Sequence, residues 1–176
     1  MTRILTLAAA LGLALAPFTA AQGQWNNDAE KCSKDEVTYR QKIHYCTLAI
    51  GSGQLTQANL ANTYFNRGVA FDSHGEREKA LADFTKAIEL KPEDADFYLS
   101  RAVAYLELGE TERGLQDFDA AVALRPDDPG LRFNRGLIRE QLGQDEAARS
   151  DFARAYALAP EVPEIKAKAA QLGIKE

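Results

Sequence analysis

A short pattern returns in this chain at a fixed interval of 34 residues. In each copy an arginine is followed by a glycine or an alanine, and these arginines are Arg67, Arg101 and Arg135. Aligned on them, three segments match without gaps, at 61–94, 95–128 and 129–162. A period of this length is typical of repeat proteins, in which each unit buries its apolar face only by stacking on its neighbours.

Several positions hold the same residue in all three copies. Position 15 is Gly, position 23 is Asp, position 24 is Phe, position 27 is Ala, position 30 is Leu and position 32 is Pro. Apolar residues recur at i, i+3 or i+4, and i+7 on either side of position 15, which predicts two amphipathic helices. Gly at position 15 is expected to end the first helix, and Pro at position 32 to follow the second. Each segment is therefore predicted to be an antiparallel helical hairpin.

This pattern resembles the tetratricopeptide repeat (TPR). The 34-residue period, small residues at positions 8 and 20, an aromatic at 24, Ala at 27 and Pro at 32 occur three times. The third copy departs most, because Arg132 and Arg139 stand at positions 4 and 11, where the first two copies have aromatic residues. The resemblance implies an all-α fold, a right-handed α-solenoid of three helical hairpins.

The flanking segments are predicted to extend this solenoid. Residues 163–176 read as a short amphipathic helix that caps the last repeat. Upstream, 36–50 mimic the second helix of the first repeat, and 25–34 are either a truncated first helix or an extended arm. The expected divisions are a signal peptide at 1–21, an arm and degenerate helical segment at 22–60, the repeats at 61–162, and the cap at 163–176.

The first residues have the layout of a secretory signal peptide. Arg3 precedes an apolar run over residues 4–16, and small residues follow. The run is short for a membrane span, which needs about 20 residues, although an uncleaved anchor helix is the alternative. Cleavage is expected after Ala21, with Gly23 as the second choice. These features predict a periplasmic or secreted bacterial protein that is not inserted in a membrane after cleavage.

The chain has two cysteines, Cys32 and Cys46. Two cysteines in a secreted chain usually pair, so a disulfide is expected. A helix capped at Ser33 would carry Cys46 too far from Cys32 for bridging, so the helix is expected to start near Thr38. A catalytic cysteine activated by His44 is disfavoured, because residues two apart on a helix do not face each other.

The sequence gives little support for nucleic-acid binding, catalysis or metal binding. A net charge of −5 argues against a nucleic-acid partner, which a basic face would bind. The chain has no Gly-rich phosphate loop, nucleophile elbow or HExxH motif, and its two histidines have no metal-ligand spacing. We therefore expect no enzyme activity, no cofactor and no metal site.

Positions 7 and 23 are always Arg and Asp, and they lie at about the same height in a hairpin that turns near position 15. Structural ion pairs are therefore expected, within or between repeats: Arg67–Asp83, Arg101–Asp117 and Arg135–Asp151. The alternative is an arginine ladder for an anionic ligand, which the aspartates would neutralise. The small residue at position 8 is expected to face the one at position 20, so that the two helices approach closely.

The resemblance implies a concave groove lined by the first helix of each repeat, at positions 2, 5, 9, 12 and 13. Carried over to this chain, these positions are Asn62, Phe65, Val69, Asp72, Ser73, Asp96, Leu99, Val103, Leu106, Glu107, Gly130, Phe133, Leu137, Glu140 and Gln141. They predict an apolar floor with carboxylates at its rim. The subfamily that grips acidic C-terminal peptides needs Lys and Asn where Phe65 and Val69 stand, so that activity is not expected.

Two functions stay open. The first is a non-enzymatic adaptor or scaffold of the periplasm, whose groove binds an apolar or amphipathic protein segment with Lys or Arg at its edges. The second is a structural, self-associating protein whose groove is filled by the N-terminal arm of the same or a neighbouring copy, with Trp25 as the plug. The sequence leaves the oligomeric state and the partner's identity open.

Overall fold

A computed structural model describes residues 27–34 and 36–174 of the chain, and this part contains helices and turns but no strand. The predicted signal peptide, both cleavage positions and Trp25 lie outside the described residues. The helices, in chain order, are α1 (27–33), α2 (Tyr39–Gly51), α3 (Gln57–Ser73), α4 (Arg77–Leu90), α5 (Ala95–Glu107), α6 (Thr111–Leu124), α7 (Pro129–Gln141), α8 (Asp145–Leu158) and α9 (Pro163–Gln171).

The three predicted hairpins are α3–α4, α5–α6 and α7–α8, which confirms the all-helical repeat fold. Each hairpin turns at the glycine of position 15, and Gly75, Gly109 and Gly143 have φ angles of 79°, 77° and 70°. These values lie in the left-handed region, which glycine adopts without steric cost. The glycine at position 15 therefore sets where each first helix ends.

The phenylalanine of position 24 forms the centre of each hairpin. Phe84, Phe118 and Phe152 are 1–2% exposed. A Cβ atom added to Gly68 would lie 2.7 Å from the Phe84 ring, so position 8 is small because this ring presses against its backbone. The expected contact between positions 8 and 20 is also present, since a Cβ on Gly114 would lie 3.2 Å from the carbonyl oxygen of Ala102.

The N-terminal helices are joined by a disulfide between Cys32 and Cys46, whose Cα atoms are 4.9 Å apart. Helix α2 begins after Thr38, whose hydroxyl accepts from the Gln41 backbone while Gln41 accepts from the Thr38 backbone. This capping box fixes the late start that the sequence predicted. Residues 27–33 are helical, and the Cys32 sulfur lies 3.9 Å from the Thr63 carbonyl oxygen, so α1 lies beside α3.

Helix α9 covers the last hairpin. Ile165 and Ala169 are buried, and Lys168 lies 4.9 Å from the centre of the Phe152 ring. Gly173 ends the helix with a φ of 63°. This is the capping helix that the sequence predicted. The helix itself ends at Gln171, and the described part of the chain ends at residue 174. Among the described helices, none combines the length and apolar character needed to cross a membrane.

Candidate interaction groove

The arginines of position 7 are held by the aspartates of position 23 in the same hairpin. Arg101 donates through Nε and Nη2 to the two carboxylate oxygens of Asp117, both at 2.7 Å. The Arg67–Asp83 and Arg135–Asp151 pairs have the same bidentate geometry. The hydrogen bond to Asp117 raises the pKa of Arg101 above its ordinary value. The carboxylates therefore occupy donors that an anionic ligand would need.

The same arginines also contact the preceding hairpin, through Nη1. Arg67 donates to the Thr47 hydroxyl of α2 at 3.1 Å, and Arg101 donates to the Thr85 hydroxyl of α4 at 3.1 Å. Thr47 thus has the role of Thr85, and α2 stacks as the second helix of a degenerate hairpin. Each guanidinium fastens three helices, so these residues serve the scaffold of the groove.

In the third repeat, charged side chains surround the arginine of position 7, where the first two repeats have aromatic rings. In the first repeat, the Arg67 guanidinium lies 5.5 Å from the Tyr64 ring and 5.8 Å from the Phe71 ring. The corresponding residues of the third repeat are Arg132 and Arg139. Arg139 donates to Asp151 at 2.9 Å and to Asp119 at 2.8 Å, and Arg132 lies 3.8 Å from Asp151. Asp119 stands where the preceding hairpins have Thr, so the added positive charge is partly compensated.

The predicted apolar floor of the groove separates into two sets. Val69, Val103 and Leu137, all at position 9, are 37%, 38% and 40% exposed, and we call them the apolar row. The other set packs largely inward. Phe65 lies against Phe84 and Phe97, Phe133 lies against Phe152, and Leu99 and Leu106 pack on the central core. The surface offered to a partner is therefore narrower than the sequence indicated.

Three of the four predicted rim carboxylates have cationic partners. Asp96 pairs with Arg125 at 2.5 Å, Glu107 with Arg77 at 2.5 Å, and Glu140 with Lys168 at 2.6 Å. These cations come from the end of α6, the start of α4 and the cap α9, outside the first-helix positions from which the sequence derived the groove. No local signal in the sequence identifies them, and the rim is therefore close to neutral at these places.

Asp72 is the fourth rim carboxylate, and its environment differs. Its Oδ1 atom is buried and finds no hydrogen-bond partner among the described residues. Burial raises the pKa of Asp72, Glu107 raises it further, and Arg77 acts in the opposite direction. Asp72 therefore carries a charge that the surrounding side chains compensate poorly.

The first-repeat end of the groove is polar. A pocket of about 300 Å³ lies between α1 and α3, lined by Glu30 and Ser33 of α1 and by Asn59, Asn62 and Asn66 of α3. The disulfide holds α1 in place as one wall of this pocket. Over the described ranges, no group of three or more His, Cys, Asp or Glu side chains is arranged to hold a metal ion.

Sequence comparison bears directly on the repeats. Two models of the tetratricopeptide repeat match residues 65–129 and 101–173, so that together they extend from the middle of α3 through α9. The chain belongs to the tetratricopeptide repeat family. No curated protein matches this TPR chain in sequence.

Solved structures share the TPR solenoid. A tetratricopeptide repeat protein from Parabacteroides merdae superposes with a TM-score of 0.75 at 21% identity, over 88% of this chain and 59% of that one. MamA superposes with a TM-score of 0.70 at 19% identity, over 88% and 85%. The first TPR domain of Spaghetti (RPAP3), bound to the HSP90 peptide SRMEEVD, superposes with a TM-score of 0.59 at 24% identity, over 66% and 92%. Family and fold together support a protein-interaction module.

Proposed function

We propose that this TPR protein is a non-enzymatic adaptor whose groove binds an apolar or amphipathic segment of a partner protein. The apolar row carries the proposal. Single exposed aliphatic residues are normal on protein surfaces. Here the same position is aliphatic and 37–40% exposed in three successive hairpins, which stack side by side. The row therefore repeats an exposed aliphatic side chain along the first helices of the three hairpins, and its burial favours binding by about 25 cal/mol per Å².

A peptide partner fits what the comparisons indicate. The Spaghetti TPR domain holds a peptide, and its sequence SRMEEVD is acidic. The present groove has Phe65 and Val69 where the subfamily that grips acidic peptides has Lys and Asn. Its occupant is therefore an apolar segment, held mainly by the aliphatic side chains of the row.

The described part of the N-terminal arm, α1, favours an external occupant over self-occlusion. Helix α1 is tethered by the disulfide and contacts α3 near Thr63, at one end of the groove. The apolar row remains exposed beside it. Filling of the groove by the arm of a neighbouring copy is the alternative, and it predicts a concentration-dependent increase in size that deletion of residues 22–35 would abolish.

We further propose that the protein works in the bacterial periplasm. The layout of residues 1–21 supports export, and a pair of fully buried, disulfide-bonded cysteines supports an oxidising compartment. Fractionation of cells that express the tagged protein tests this location. Recovery of the uncleaved chain in the cytoplasm would contradict it.

The groove assignment is tested by placing charge on the apolar row. The double variant Val69→Asp, Val103→Asp should fold, because both side chains already meet water, and it should lose capture of the partner from envelope extract. Leu48→Asp is the matched control, since Leu48 is 45% exposed on α2, outside the groove. Leu99 and Phe133 are unsuitable targets because they pack against the core. Unchanged capture by the double variant, with intact helical content, would show that another surface binds.

A further inference from the structure

We infer that the bound segment carries one Lys or Arg, and that this cation binds Asp72 beside the first-repeat end of the apolar row. The inference rests on the proposed function and adds where along the groove a basic residue of the bound segment lies. Asp72 follows Val69 by three residues on α3, and residues three apart lie on the same face of a helix. A cation at Asp72 would therefore adjoin an apolar group packed on Val69.

The free protein leaves Asp72 with several unfavourable interactions. Its Oδ1 atom is buried and has no hydrogen-bond donor among the described residues. The residue as a whole is only partly buried, so a cation from outside can approach the exposed side of the carboxylate. It is the penultimate residue of α3, where the helix dipole opposes a negative charge. Glu107 adds a second negative charge, and Arg77, the cation that acts on Asp72, donates to Glu107 at 2.5 Å. One unit of negative charge at this site is thus left for an external cation.

The third repeat shows how such a carboxylate is satisfied within the chain. Glu140 has the same repeat position as Asp72, position 12. Lys168 of α9 places its ammonium group 2.7 Å and 2.6 Å from the two Glu140 oxygens, beside the Phe152 ring. Asp96 and Glu107 are also paired with cations of the chain. Charge complementarity therefore points to a single basic residue in the partner, placed at Asp72.

The test uses a peptide library as its probe, with the full chain immobilised. The library contains acetylated, amidated nonapeptides of Leu, Phe, Ser and Gly, with one Lys, Gln or Glu placed at each position in turn. At one end of the peptide we expect Lys to be preferred over Gln by about fivefold, and Glu to be disfavoured. Raising the salt concentration should reduce the preference without abolishing binding of the Gln peptides.

Asp72→Asn and Glu140→Gln form the matched pair of variants. Asp72→Asn should remove the preference for Lys over Gln peptides, whereas Glu140→Gln should retain it; the readout is the ratio of the two affinities within each variant. Binding without a Lys preference, or a preference that survives in Asp72→Asn, would overturn this inference and leave the groove proposal standing. If no peptide binds to the folded protein, or if Val69→Asp with Val103→Asp does not reduce binding, the proposed function fails and the inference fails with it.

Discussion

At the scale of single residues, the protein holds buried carboxylates in two contrasting ways. Asp83, Asp117 and Asp151 are 2–5% exposed, and each receives two hydrogen bonds from one guanidinium. Asp72 has one buried oxygen that accepts no hydrogen bond within the described chain. A buried charge is tolerated when it is paired and hydrogen-bonded, and it is costly otherwise. The first kind of carboxylate is therefore compatible with a stable scaffold as long as its arginine is present, whereas the second weakens the scaffold.

The arginine pairs can be compared within the same molecule. Arg101→Leu leaves the buried Asp117 without its guanidinium partner, so we expect a loss of about 3 kcal/mol in the free energy of unfolding. Arg135→Leu should cost clearly less, because Arg139 still donates to Asp151 at 2.9 Å. Urea denaturation of the two variants measures the difference. Equal losses would mean that Arg139 does not compensate Asp151.

The pH dependence of stability tests the environment of Asp72. Burial raises the folded-state pKa of Asp72, so its contribution to stability is present below the unfolded pKa and is lost as the pH rises through the folded pKa. Asp72→Asn does not ionise and avoids this loss. The Tm of Asp72→Asn should therefore exceed that of the wild type at about pH 7 and approach it near pH 3.

Glu76 supplies a control, because its pKa is shifted in the opposite direction to that of Asp72. The hydrogen bond from Lys79 lowers the pKa of Glu76, so the ionised form of Glu76 stabilises the fold above its unfolded pKa. Glu76→Gln should reduce the Tm near neutral pH, and by a small amount because the pair is exposed. A Tm that falls in both variants at about pH 7 would contradict the unfavourable environment inferred for Asp72.

At the scale of helices, the two helices of each hairpin pack around one buried phenylalanine ring. Phe118 is 2% exposed and lies in the central cluster with Ala102, Val122 and Ile138. Phe118→Ala would leave a cavity between three helices, and we expect it to cost about 3–5 kcal/mol. Leu124→Ala, at a position 39% exposed, is the control and should cost far less. A loss below about 1 kcal/mol for Phe118→Ala would show that the repeat register is wrong.

The disulfide anchors helix α1, which is too short to be stable by itself. Helix α1 is described over seven residues, and Cys32 and Cys46 are fully buried and 14 residues apart in sequence. In the chain-entropy model, reduction of a loop of this size costs about 3 kcal/mol. Thermal unfolding with and without reductant should show this loss, whereas the Cys32→Ser, Cys46→Ser variant should not respond to reductant. Two titratable thiols in protein prepared without reductant would contradict the pairing.

At the scale of the whole molecule, the solenoid is held together by contacts between successive helices. Each hairpin buries its face against its neighbours, so a local change is transmitted weakly along the stack. Helix α9 supplies Ile165 and Ala169 to the last hairpin, and Lys168 to Glu140. The cap therefore supports the third repeat directly and the first repeat only through the stack.

Truncation of the cap tests this order. Deleting residues 163–176 should reduce hydrogen-exchange protection in α7 and α8 strongly, while α3 and α4 retain most of theirs. Ile165→Asp in the full chain is a milder variant that should give the same gradient. A uniform loss of protection along the chain would show that the molecule unfolds as one cooperative unit.

The sequence by itself determined the features that repeat or depend on short spacing. The 34-residue period gave the three hairpins, glycine at position 15 marked their turns, and the Arg and Asp of positions 7 and 23 were placed face to face. The late start of α2 also followed, because a disulfide between Cys32 and Cys46 is incompatible with a helix capped at Ser33. Each of these depends on geometry within one hairpin.

Only the tertiary structure decided what the groove presents. Helical spacing puts Phe65 and Val69 on one face of α3, but the rings of Phe84 and Phe97 draw Phe65 into the core and leave Val69 exposed. The cations that neutralise the rim lie on other helices: Arg77 is 30 residues from Glu107, and Lys168 is 28 residues from Glu140. Such pairs depend on how neighbouring hairpins stack, which the spacing within one repeat does not specify.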